Sequence, residues 1–102
     1  MTAPEAADLL REIADGRRPL APADPHRPWQ RVAVGEVGFR AGDCALVFFS
    51  DCASLDHLVS LTPAGGETTA FAHWLVRDGL NPVDLLDEGE RGALERRLFE
   101  AV

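Results

Sequence analysis

Between Asp51 and His57 the chain reads Asp-Cys-Ala-Ser-Leu-Asp-His, and a second cysteine, Cys44, stands just upstream. Thiol, imidazole and carboxylate are the donors of divalent metal sites, and a thiol beside an imidazole is the usual core of a cysteine nucleophile. Asp51, Cys52, Asp56 and His57 are therefore the candidate metal ligands. Their spacing speaks against that chemistry. A strand from Cys44 to Ser50 covers roughly 20 Å at about 3.3 Å per residue. Cys52 then lies in the far turn, beyond the ~7 Å between Cα atoms that a disulfide permits. The run also lacks the Asp-x-Asp-x-Asp-Gly order of a calcium loop. Asp51 and Ser54 read as turn formers, Cys44 as a small core residue, and His57 as a core histidine opposite Phe48.

The rest of the chain offers little more to catalysis. His26 and His73 are isolated, and Gly65-Gly66 lacks the lysine and surrounding glycines of a phosphate loop. Asp87 and Glu88 read as helix-start charges that complement the macrodipole. The expectation is a protein that is not an enzyme and carries no cofactor.

The elements that position these residues follow from periodicity and capping. Thr2-Ala3-Pro4-Glu5 is a capping box opening a helix over 1–16, with Ala6, Leu9, Leu10, Ile13 and Ala14 on one stripe and Gly16 as the stop. Residues 17–30 form a connector with prolines at 19, 22, 25 and 28. That spacing of three suits an extended polyproline segment pinned by Trp29. Pro22 to Arg27 also matches the PxxPxR pattern read by SH3 domains, here read as chance.

From 31 to 61 the period becomes two and predicts a β-meander. A turn at Ala41-Gly42 pairs Arg40 with Asp43, Phe39 with Cys44 and Val37 with Leu46. A second turn through Asp51–Ser54 pairs Ser50 with Leu55, Phe48 with His57, Leu46 with Val59 and Cys44 with Leu61. One face is then core, and the other mixes Val34, Val47, Phe49 and Leu58 with charges. Over 68–102 the helical period returns. Thr68 or Thr69 caps a helix bearing Phe71, Trp74 and Leu75, which Gly79 closes; Asn81-Pro82 opens a short turn, and Asp87 with Glu90 starts a last helix. The predicted architecture is one α+β domain over 1–102: an N-terminal helix, a three-stranded antiparallel β-meander, and two or three C-terminal helices packed on one face.

Composition narrows the class. A chain of 102 residues that is 46% hydrophobic suits one core. No apolar run is long enough for a membrane span, and the acidic, amphipathic start is not a secretory signal, so the cytoplasm is the expected location. Lysine and tyrosine are absent, a bias towards GC-rich codons that fits a bacterial genome. The net charge of −7 comes entirely from residues 32–102, with twelve acids against five arginines. Such a surface repels phosphate backbones, which excludes direct nucleic-acid binding and leaves a basic protein partner, nucleic-acid mimicry or simple solubility.

The order of landmarks resembles an uncharacterised family of small proteobacterial proteins, a domain of unknown function. The matching residues are Pro28-Trp29, Phe48-Phe49-Ser50-Asp51, Leu55-Asp56 and Pro63 with its glycines, then Phe71 and Trp74, Asn81-Pro82 with Leu85-Leu86, Leu94-Glu95 and Leu98. The chain departs from that pattern at Ser50, where the family has asparagine, and at Asn81, where it has aspartate. The resemblance implies a bacterial domain and brings no activity with it.

These readings converge on a non-catalytic interaction protein: an accessory subunit or adaptor for a protein or peptide partner, or a homodimer. Val34, Val47, Phe49 and Leu58 are the predicted contact residues, used as a face or beside a strand edge that adds a peptide strand. Three strands followed by three helices also resemble the order in leader-peptide-binding domains, and so a peptide-recognition subunit of a modification system. The alternatives are a metal- or ligand-binding protein built on the 51–57 turn and an acidic immunity or inhibitor protein.

Overall fold

A computed structural model describes residues 1–102. Three helices, α1 (Ala3–Ala14), α2 (Phe71–Asp78) and α3 (Glu88–Glu100), accompany five strands. The strands are β1 (Leu20–Pro22), β2 (Val34–Ala41), β3 (Cys44–Asp51), β4 (Ser54–Thr62) and β5 (Thr69–Ala70), with 3-10 turns at Trp29–Arg31 and Pro82–Leu85. No helix is long and apolar enough to cross a membrane.

The α+β class is as expected, but the sheet is not a three-stranded meander. It is a five-stranded antiparallel sheet in the order β1-β2-β3-β4-β5. The added strands are short and lie at the two edges. Leu20 to Pro22 of the presumed connector pairs with Ala41 to Phe39, where a proline without an N–H is tolerated because the outer side of an edge strand needs no donor. Thr69, expected with Thr68 as the cap of α2, instead pairs with Leu61, and Ala70, which pairs with Ser60, is the residue that precedes the helix. The helices also differ from a C-terminal group on one face. Helices stand at both ends of the chain, α1 packing against α3, while α2 lies between strand and turn beside β4 and β5.

Local chemistry explains the helix ends. Thr2 Oγ1 accepts from the Glu5 N–H and Glu5 returns the bond to the Thr2 N–H, closing the capping box. These bonds from Thr2 hold the Glu5 carboxyl below the usual carboxylate range. Asp87 and Glu90 repeat the device at α3. Gly79 ends α2 in the left-handed region at φ 74°. Asp78 then reaches 2.9 Å to the Ala3 N–H, one of the orphan donors at the start of α1. Trp74 Nε1 and Arg77 both donate to the Met1 carbonyl, so α2 is tied to the start of α1. At the other end of the helical layer, Arg11 bridges Asp8, Glu90 and the Leu85 carbonyl at 2.8–2.9 Å.

One hydrophobic cluster joins these layers. It takes Leu10 and Ile13 from α1, Phe39, Leu46, Phe48, Leu55, Leu58 and Leu61 from the sheet, and Leu94 and Leu98 from α3. Phe39 lies at its centre, 6.4 Å from Trp29 and 6.0 Å edge-on from Phe48.

The registers differ from the sequence reading in an instructive way. In the first hairpin Ala41 faces Cys44, so Phe39 opposes Leu46 and Val37 opposes Phe48, two residues from the expected pairing. Gly42 carries the positive φ of 61° and must sit inside the two-residue turn, as its first central residue. A shift of two leaves each side chain on its face. In the second hairpin Ser50 does face Leu55, but two bulges follow. Asp56 and then Val59 are the extra residues, so Phe49 faces His57, Phe48 faces Leu58 and Leu46 faces Leu61. Each bulge reverses the alternation. Leu58 therefore enters the core at 0% exposure, and His57 leaves it for the opposite, outer face.

Candidate functional site

The outer face of the sheet has no buried side chain on β2 or β3. Its rows follow from the register. Val34 lies beside Asp51, Glu36 beside Phe49 and then His57, Gly38 beside Val47 and Ser60, and Arg40 beside Ala45. Of the predicted contact residues, Val34 is 61% exposed and Val47 and Phe49 are half-buried on this face. Leu58 is corrected: the bulges turn it into the core, so it is not available to a partner.

His57 takes that place. Its ring stacks on Phe49 at 5.2 Å and 7°, and Phe71 from the start of α2 lies 4.6 Å away on a tilt. Asp56 Oδ2 sits 2.6 Å from His57 Nδ1. In the neutral imidazole this contact favours Nδ1–H towards the carboxylate, with Nε2 as the acceptor. The result is an aromatic row of Phe49, His57 and Phe71, ringed by the carboxylates of Glu36, Asp51 and Asp56. Glu36 and Asp51 form no ion pair, and Asp56 pairs only with His57.

The candidate ligands of the 51–57 run do not converge. Asp56 and His57 meet, but Cys52 stands exposed in the turn, and no three Cys, His, Asp or Glu side chains come together to hold a metal. Cys52 and Ala53 form the turn's two central residues, at φ 55° and 63°, the hand of a type I′ turn. Cys44 is buried among apolar neighbours, with Arg18 3.8 Å from its sulfur.

The outer flanks of β2 and β4 are covered beyond their short neighbours β1 and β5. On the β4 side the Asn81 side chain imitates a neighbouring strand: Oδ1 accepts from the Leu58 N–H at 3.0 Å and Nδ2 donates to the Leu58 carbonyl at 2.9 Å. Arg91 donates to the Leu55 carbonyl at 2.6 Å. On the β2 side, beyond β1, the Ala23 N–H bonds the Gly38 carbonyl and Arg27 bonds that of Glu36. The free edges of the sheet are then the two- and three-residue strands β5 and β1, short platforms for an added strand.

The sequence reading missed His57, Phe71 and Asn81 at these positions. A signal was present for the first. Leu55, Leu58 and Leu61 recur every third residue, which a strand buries on one face only if a bulge falls in each interval.

The fold and site thus define a small α+β domain whose five-stranded sheet is backed by α1 and α3 on one side and presents an acid-rimmed aromatic face, joined by Phe71 of α2, on the other. The chain belongs to the family described as a domain of unknown function (DUF7693), which it matches over residues 1–100. No curated protein and no solved structure matches it.

Proposed function

We propose that this domain is a non-catalytic interaction module, an accessory subunit or adaptor in a bacterial cytoplasm, and that it docks a protein partner on the outer face of its sheet. One observation carries the reading: Phe49 stacks on His57 and Phe71 packs against His57 on a tilt, on a face left uncovered over β2 and β3, with Val34 and Val47 beside them. Half-exposed aromatic clusters of this kind anchor protein interfaces, because they bury large area at low entropic cost. The covered flanks of β2 and β4 favour docking through side chains on the face over addition of a peptide strand. The absence of lysine and tyrosine supports the bacterial origin.

Phe49→Asp tests this. Phe49 lies outside the core cluster, so the variant should keep its far-ultraviolet circular dichroism and a cooperative melt, with a modest fall in melting temperature from the lost stacking on His57. It should lose the partner that the wild-type protein retains from lysate of the native organism. Phe99→Ser, at an exposed site on α3, is the control and should retain it. Equal recovery with Phe49→Asp would remove the outer face from consideration.

A further inference from the structure

The charge around the aromatic row specifies the partner further. Glu36 stands directly opposite Phe49, so their Cβ atoms lie about 5 Å apart across the pair. Asp51 follows two residues along the same face of β3, about 7 Å on. Asp56 is brought to His57 by the first bulge. The side chains beside the rings include three carboxylates, which only accept, and His57, whose Nε2 accepts in the neutral imidazole. Of the three guanidiniums around them, Arg91 is engaged by the Leu55 and Asp56 carbonyls at 2.6 and 3.5 Å, and two others stand farther off. Arg40 lies two rows away, about 13 Å along β2 from Glu36, and Arg27 is held at the strand edge by the Glu36 carbonyl. Neither forms an ion pair with Glu36, Asp51 or Asp56.

Arginine and lysine carry donors only, and both lie favourably over aromatic faces while their aliphatic stems cover apolar surface. An acceptor rim around stacked rings is complementary to such side chains. Resting on the reading of the outer face as a docking site, we propose that its occupant is a basic segment of a partner protein, with arginine or lysine side chains lying over Phe49 and Phe71 and donating to Glu36, Asp51, Asp56 and His57. The charge of −7 steers such a segment towards the domain and repels acidic competitors.

The test uses the full chain, isotope-labelled for NMR, titrated with synthetic peptides of repeated Arg-Leu-Gly, and with the same repeats carrying lysine, glutamine or glutamate for arginine. The arginine peptide should shift resonances in 34–36, 47–51, 54–57 and 71, and roughly 0.5 M salt should largely abolish the effect. Glu36→Gln with Asp51→Asn should weaken binding about tenfold without altering the melt, since neither side chain has an intramolecular partner. The glutamate peptide should do nothing. If the glutamine peptide binds as tightly, and Phe49→Asp abolishes it, the face is a docking site and the basic occupant is wrong. Shifts that map elsewhere, or none with any peptide, overturn the proposal. So does a dimer at sedimentation equilibrium that protects these residues without peptide, because the occupant is then a second copy.

Discussion

Asn81→Ala removes three hydrogen bonds with one substitution. The side chain of Asn81 is 3% exposed and bonds the Leu58 N–H at 3.0 Å, the Leu58 carbonyl at 2.9 Å and the Val83 N–H at 3.2 Å. Leu58 itself is fully buried, so its two main-chain groups lose their partners in a place bulk water does not reach. Each buried group left unpaired costs about 1–3 kcal/mol. The deleted amide leaves room for a water that can restore part of this, which places the net loss at about 2–4 kcal/mol. For a domain of this size that is roughly 10–25 °C in melting temperature and a large share of the total stability. Urea denaturation measures the loss. Hydrogen exchange at the Leu58 amide locates it, because that proton should lose its protection before the middle of β3 does. Asn81→Asp retains the acceptor for the Leu58 N–H but not the donor for its carbonyl, so it should fall between wild type and alanine. An Asn81→Ala loss below about 0.5 kcal/mol, with the Leu58 amide still protected, would refute the reasoning. The β4 edge would then be sealed by something other than Asn81, and strand addition would return as a binding mode.

The tight turn and the thiols give two more checks. Ala53→Gly should raise stability by about 0.5–1 kcal/mol in the same assay, because Ala53 holds φ 63° at a turn position that glycine adopts without steric cost. A loss of stability would mean that the turn does not keep this hand in solution. A thiol reagent should titrate one cysteine in the native protein, the exposed Cys52, and two in denaturant, where the buried Cys44 opens. Two fast thiols without denaturant, or none, would contradict the burial of Cys44 or the free state of Cys52.

Several features were legible from residue order because they are settled within one turn or one hairpin. The caps at Thr2 with Glu5, Asn81 with Pro82 and Asp87 with Glu90 sit where the side chains predict them, since each closes its bonds within three residues. The outward placement of Val34, Val47 and Phe49 also follows from alternation, and it survives a register error of two because faces repeat with that period. The interpretation of β4 fails for the same reason in reverse. Strict alternation places His57 inside and Leu58 outside, whereas the observed strand has one extra residue at Asp56 and another at Val59. Burying Leu55, Leu58 and Leu61 together outweighs the cost of interrupting the ladder twice, at roughly 1.5–3 kcal/mol for each leucine.

The α+β class, the starts of α1, of α3 and of the 3-10 turn after Asn81, the two long hairpins, and the separation of Cys44 from Cys52 all follow from local capping, period and chain reach. Tertiary structure decided the rest. Residues 20–22 and 69–70 became strands only because the edges of β2 and β4 offered unpaired backbone at matching distance. Asn81, legible as a helix cap, also became the substitute for a sixth strand, because the fold brings it 23 residues along the chain to Leu58. The aromatic row of Phe49, His57 and Phe71 joins two bulge-adjusted strands to the first residue of α2, a meeting that no local rule encodes. Contacts between distant residues are set by the packing of the whole core, and core packing is a property of the folded chain and not of any segment within it.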